Sequence, residues 1–66
     1  MRFKYKKGDI VRYNSTFYNY VFKVCGIEQQ EYTYYQVVNI KNGEKYVVSK
    51  ENLETYGRLE GDFDEV

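Results

Sequence analysis

Proline, histidine and tryptophan are absent from this 66-residue chain, and cysteine and methionine occur once each. Each gap removes a class of explanation. Without histidine, neither a Ser-His-Asp triad nor a Cys-His pair can be assembled. A structural zinc site needs about four Cys or His ligands, so the single Cys25 closes that route to stability. One cysteine also permits no internal disulfide. The lone thiol, and an N-terminus Met1-Arg2-Phe3-Lys4-Tyr5-Lys6-Lys7 without an apolar signal core, point to a reducing, cytoplasmic compartment. No run approaches the ~20 apolar residues of a membrane span, so no membrane partner is expected. Gly-rich phosphate loops and nucleophile motifs are missing, and the carboxylates (Glu51, Glu54 and the C-terminal acids) are of a surface type. Paired catalytic carboxylates need a concave site, for which a chain this short has little volume to spare. A non-enzymatic protein with no cofactor and no metal is expected.

What the chain has in excess is aromatic residues: nine tyrosines and four phenylalanines, 20% of the total. A tyrosine buries its ring and keeps its hydroxyl wet, which suits both a small core and a binding face. Charge is balanced overall but split along the chain. Residues 1–27 carry Arg2, Lys4, Lys6, Lys7, Arg12 and Lys23 against Asp9, a net of +5, and residues 51–66 carry a net of −5. Such a split marks a nucleic-acid-binding arm, or two chain ends that meet in the fold and neutralise one another.

The length allows one domain, and the pattern is that of strands. Gly8-Asp9 signals a turn into Ile10-Val11-Arg12-Tyr13, and Asn14-Ser15-Thr16 ends that run. Residues 17–27 form the longest β-type run, with Tyr20, Phe22 and Val24 on one face and Cys25 read as a small buried hydrophobe. Gly26 is placed to bulge the strand and bring Ile27 back to that face. After the polar loop 28–31, the β pattern resumes from Tyr32 to Ile40. Asn42-Gly43 predicts a type I′ turn, which pairs Val37 with Val48, Asn39 with Tyr46 and Val38 with Val47. Tyr35, Val37, Tyr46 and Val48 then face the core, and Tyr34, Val38, Ile40 and Val47 face outward. Residues 51–57 predict a single 3₁₀ turn with Leu53 plugging the core. Arg58-Leu59-Glu60 supplies a short last strand, and residues 61–66 an acidic tail.

The opening Gly8-Asp9-Ile10-Val11-Arg12-Tyr13 and the ending Tyr46-Val47-Val48-Ser49-Lys50-Glu51-Asn52-Leu53-Glu54 resemble the SH3-like small β-barrels of bacteria and phages, over about residues 5–59. The resemblance implies an all-β domain over residues 1–60, a barrel of about five antiparallel strands with a 3₁₀ turn before the last. It also implies Val11 and Tyr13 inward and Ile10 and Arg12 outward. The superfold is shared by KOW, Tudor-like and peptide-binding SH3 domains, and so names no single function. The Ala-Leu-Tyr-Asp-Tyr motif, tryptophan and proline of Pro-rich-peptide binders are absent. Two binding functions follow. One is a small phage or mobile-element accessory protein that docks on and inhibits a larger host protein or nucleoprotein, such as a defence nuclease, through Phe17, Tyr18, Tyr32 and Tyr34 with Arg12 assisting. The alternative is nucleic-acid binding by Arg2, Lys4, Lys6, Lys7 and Arg12, with tyrosines as stacking platforms. The chain acts as a monomer, or as a homodimer that covers the second apolar face.

Overall fold

A computed structural model describes residues 2–14, 16–17 and 19–60; Tyr18 and the acidic tail 61–66 lie outside the described residues. Five strands, β1 (Ile10–Asn14), β2 (Asn19–Gln29), β3 (Thr33–Asn39), β4 (Lys45–Ser49) and β5 (Gly57–Leu59), form one antiparallel sheet in the order β4-β3-β2-β1-β5. The one helix among the described residues, α1 (Lys50–Tyr56), stands between β4 and β5. The Gly8-Asp9 turn is present: Gly8 has φ +98°, its N–H donates to the Val24 carbonyl at 2.8 Å, and the Asp9 carboxylate accepts from the Lys6 N–H at 3.0 Å. The all-β class is as expected, but the sheet is not closed as a barrel. β4 runs straight into α1, and β5 is only three residues long and pairs with β1. With no strand joining the two edges, α1 covers the open side.

Alternation along the strands sets the core. Val11, Phe22, Val24, Tyr35, Val37 and Leu53 are buried, with Tyr13, Tyr20, Val48 and Leu59 packed against them. Arg12 is outward and exposed, as the resemblance implies. Tyr5 is also buried and Phe3 packs beside it, so the N-terminal segment belongs to the core, which its lysine-rich sequence conceals. In β2 the pairing steps from Val24↔Val37 to Gly26↔Gln36, which returns Ile27 to the row of Tyr35. The parity shift falls where Gly26 was expected to make it, but the extra residue is Cys25. An unpaired bulge residue leaves the ladder, and Cys25 is accordingly exposed rather than buried, its Sγ 3.7 Å from the Lys23 carbonyl.

The β3–β4 hairpin is not a type I′ turn. Within this loop only Gly43 has positive φ (+75°), and among the described residues no non-glycine residue does, so Asn42 is not left-handed. The loop is longer: the Asn39 N–H donates to the Glu44 carbonyl at 2.8 Å and the Gly43 N–H to the Asn39 carbonyl at 2.7 Å. Asparagine side chains stabilise it, Asn39 Oδ1 accepting from the Lys41 N–H and Asn42 Oδ1 from the Glu44 N–H, both at 2.9 Å. Pairing therefore slips by two residues, to Tyr35↔Val48, Val37↔Tyr46 and Val38↔Lys45. A slip of two leaves every side chain on its expected face, because the side-chain period is two.

Residues 50–56 form an α-helix rather than a 3₁₀ turn. Ser49 caps it, its hydroxyl accepting from the Asn52 N–H at 3.2 Å, and Lys50 pairs with Glu54 one turn on at 2.9 Å. Leu53 is the expected core plug, fully buried. The helix ends at Gly57, whose N–H donates to the Leu53 carbonyl. A Cβ there would sit 2.4 Å from that carbonyl oxygen and 2.7 Å from Val11 Cγ1, so only glycine brings β5 this close to β1.

One carboxylate joins three separate stretches of chain. Glu54 Oε2 accepts from the Lys4 N–H at 2.9 Å and from the Tyr35 hydroxyl at 2.5 Å, while Oε1 accepts from Lys50 Nζ at 2.9 Å. The Tyr35 oxygen in turn accepts from the Tyr5 N–H at 3.3 Å, and the rings of Phe3 and Tyr5 pack edge-on to Tyr35. Burial raises the Glu54 pKa, but the hydrogen bonds from Lys4, Tyr35 and Lys50 outweigh it and hold the carboxyl below its ordinary value. Burial first, and then the bond to Glu54, push the Tyr35 hydroxyl up to about 12.

Two outcomes follow. Gly57→Ala lowers stability by about 1–3 kcal/mol through overpacking against Val11 and the Leu53 carbonyl, read as a lower urea midpoint at unchanged slope. The second outcome is a two-sided pH dependence. The Glu54 contribution is complete above its ordinary value of 4.5 and is lost as pH falls through the lower folded value. The Tyr35 contribution is complete below 10 and is lost as pH rises from 10 towards 12, because the unfolded tyrosine ionises first. Thermal midpoints of wild type and Tyr35→Phe should converge over that alkaline range; a constant difference between them removes the assignment.

Candidate functional site

The residues singled out in the sequence do not form one patch. Phe17, 86% exposed, is in the β1–β2 turn, and Tyr32, 66% exposed, is in the β2–β3 turn, at the opposite end of the eleven-residue β2. Tyr34 lies half-buried on β3, cross-strand from Glu28 and Ser49. Tyr32 and Tyr34 share one groove with Ser49, Lys50, Glu51 and Thr55. Arg12 is away from both, on the outer face of β1. Its guanidinium grips Glu60 through Nε at 2.8 Å and a terminal nitrogen at 3.2 Å, which holds the last strand against the first. Tyr18 is outside the described residues.

A larger aromatic surface lies along the rim of the core face. Tyr20 stacks on Phe22 with centroids 5.2 Å apart, and Tyr46 closes on both at 6.2 and 5.7 Å. Tyr13 meets Phe22 at 5.9 Å and Tyr56 edge-on at 6.3 Å. Tyr46 is 36% exposed and Tyr56 49%, and the Tyr46 hydroxyl donates to Glu44 at 2.6 Å, a bond that raises its pKa. Together with Val48 and Asn52, the rings of Tyr13, Tyr20, Phe22 and Tyr46 line a groove of about 430 Å³ beside β4. Because the rings touch one another they make a continuous platform and leave no gap that would cage a cation. Phe17 sits at the tip of the turn between Tyr13 and Tyr20, at the same end of the sheet. This strip was missed from sequence because Tyr20 and Tyr46 were assigned wholly to the core. The signal for it is arithmetic: too many rings alternate onto one face for a sheet this small to enclose.

The split charge is met at two points of contact within the fold. β1 pairs with β5, which brings the basic start against the acidic end: Arg12 is bound to Glu60, and Lys4 to the carboxylate of Glu54 through its N–H and to the Glu54 carbonyl through Nζ at 3.4 Å. Among the described residues no group of three or more His, Cys, Asp or Glu side chains is placed to hold a metal ion, and no helix is long and apolar enough to cross a membrane. No family model, curated protein or solved structure matches the chain.

Packing and docking residues separate by their effect on stability. Phe17→Ala and Tyr32→Ala should leave the urea midpoint within about 0.5 kcal/mol of wild type, as exposed positions do. Tyr20→Ala should cost about 1 kcal/mol or more, from lost ring contacts with Phe22 and Tyr46 as well as lost burial. Equal losses at all three positions are incompatible with this division.

Proposed function

We propose that the chain is a non-enzymatic binding module that docks on a larger host protein and modulates it, with the aromatic strip from Phe17 to Tyr46 as the docking surface. The observation that carries this reading is the strip itself. Four partly open rings, Tyr13, Tyr20, Tyr46 and Tyr56, are joined through the buried Phe22, and Phe17 is exposed at the turn at the same end of the sheet. Ordered aromatic surface is the commonest source of strong protein–protein anchors, since a rigid ring desolvates large area at little entropic cost. The lone free thiol of Cys25 fits a reducing cytoplasmic setting. A defence nuclease blocked by the bound chain is the example of such a host protein that the short, tyrosine-rich sequence suggested.

The same proposal places the chain among the SH3-like domains. Its support is the order of elements: four meandering strands, a helical segment carrying a core leucine, and a short last strand returned to the first. The five-stranded sheet is open, and the likeness therefore rests on connectivity and not on closure. Nucleic-acid binding by the basic N-terminus is the weaker reading, because Lys4 and Arg12 are already engaged by Glu54 and Glu60.

The partner is to be captured from the native host on immobilised chain and identified by mass spectrometry, and its affinity measured against variants. Phe17→Ala and Tyr46→Ala should each weaken binding about 30-fold, the equivalent of about 2 kcal/mol. If instead Tyr32→Ala and Tyr34→Ala decide affinity, docking belongs to the groove at the β2–β3 end. If reversal of Lys4, Lys6 and Lys7 to glutamate abolishes binding while the aromatic changes are silent, the chain is a nucleic-acid binder.

A further inference from the structure

We infer that the outer face of β2, β3 and β4, opposite the aromatic strip, is a second binding surface, fitted to an extended acidic segment of a protein in which carboxylates flank aliphatic side chains. The inference goes beyond the aromatic docking surface and does not depend on it.

The pairing registers build this surface. Lys23 is cross-strand from Val38, and Val38 from Lys45, so one row across three strands reads lysine, valine, lysine. With neighbouring strands about 4.8 Å apart, the two lysine stems are rooted about 10 Å from one another on either side of Val38. The adjacent row sets Gln36 beside Val47, which is 54% exposed. Cys25, expelled from the ladder by the bulge, lies exposed at the β2 end. Two hollows adjoin here and share Cys25 and Val38; Lys45 and Val47 line one, and Lys7 and Lys23 the other, with no carboxylate in either lining. Elsewhere in the described fold Arg12 and Lys50 are paired with carboxylates, and the hollow lined by Lys4, Lys6 and Lys7 also holds Asp9. The two hollows on this face combine lysines and an aliphatic floor with no carboxylate in their linings.

Charge and shape select the occupant. Carboxylates four residues apart on one side of an extended chain are separated by about 13 Å, within reach of two flexible lysines rooted this far apart. An aliphatic side chain midway between them, two residues from each, lies on the same side and would cover the half-buried Val38 and the exposed Val47. A nucleic acid would satisfy the lysines but find no stacking platform. The floor is aliphatic, and the single ring at its margin, Tyr46, is packed on Tyr20 and Phe22. A second copy docked by a two-fold axis through Val38 would set lysine against lysine across the contact, which like-charge repulsion opposes.

The test is fluorescence anisotropy of the full chain with a labelled glutamate–valine peptide of Glu-Ser-Val-Ser repeats, which sets both side chains on one face when extended, alongside the matching lysine–valine peptide and a labelled oligothymidylate. The glutamate–valine peptide is expected to bind, more weakly as salt is added, and the lysine–valine peptide not to bind. The double variant Lys23→Glu, Lys45→Glu should lose at least tenfold in affinity and Val47→Ser severalfold, both with wild-type circular dichroism. Phe17→Ala and Tyr32→Ala should bind the peptide as wild type does, which separates this surface from the aromatic strip. Oligothymidylate binding as tightly as the peptide, an unchanged affinity in the double lysine variant, or self-association of the free chain in sedimentation through this face would overturn the inference.

Discussion

Glu54 carries the connection on which the open sheet depends. Its carboxylate receives the N-terminal segment through Lys4, β3 through Tyr35 and its own helix through Lys50. A closed barrel would hold its ends together with a ladder of backbone hydrogen bonds. Here β4 and β5 are not joined, and a helix and an N-terminal segment cover the gap. That cover needs an anchor, and an ionised carboxylate shared by three donors is stronger than neutral hydrogen bonds because its acceptors are charged. The Tyr35 ring extends the anchor into the core, meeting Phe3 and Tyr5 edge-on. Leu53 and Gly57 complete it from the helix side, the one by filling the core and the other by allowing β5 to approach Val11.

The two surfaces left over from this packing differ in chemistry because they lie on opposite faces of the same strands. On the core side, more rings alternate inward than the sheet encloses, and the surplus spills to the rim as Tyr20 and Tyr46, while the helix adds Tyr56 beside Tyr13. On the outer side the same alternation delivers Lys23, Val38, Lys45 and Val47. A single five-stranded layer with one helix has no second layer to bury that outer face. The bulge adds to the contrast. By removing Cys25 from the ladder it keeps Val24 and Ile27 on one face and places a sulfur on the other.

Several elements were legible in the sequence for reasons that survive in the structure. Alternation put Phe22, Val24, Tyr35 and Val37 inward, the SH3-like resemblance put Val11 inward, and Leu53 stood out as an isolated leucine in a polar stretch. The Gly8-Asp9 turn and the parity shift near Gly26 were readable because glycine marks them. The hairpin register was misread by two residues, since Asn-Gly names the tight turn but says nothing of an upstream asparagine that caps a longer one. The error was harmless to the faces because an even slip preserves them. The candidate site was legible only as an excess of tyrosine. Which tyrosines share a surface depends on cross-strand neighbours, and neither Tyr13 with Tyr56 nor Tyr20 with Tyr46 is close in sequence.

By itself the sequence determined an all-β chain, the face of the strand residues that form the core and the exclusion of histidine-dependent and disulfide chemistry, because these follow from local periodicity and composition. Tertiary structure alone decided that the sheet stays open, that Tyr5 is core and Cys25 is not, and that Lys4 and Arg12 serve the fold by binding Glu54 and Glu60. Each of these is a contact between residues far apart in the chain. Its free energy depends on what the partner strand, helix or terminus brings to the same place, and a one-dimensional pattern does not hold that information.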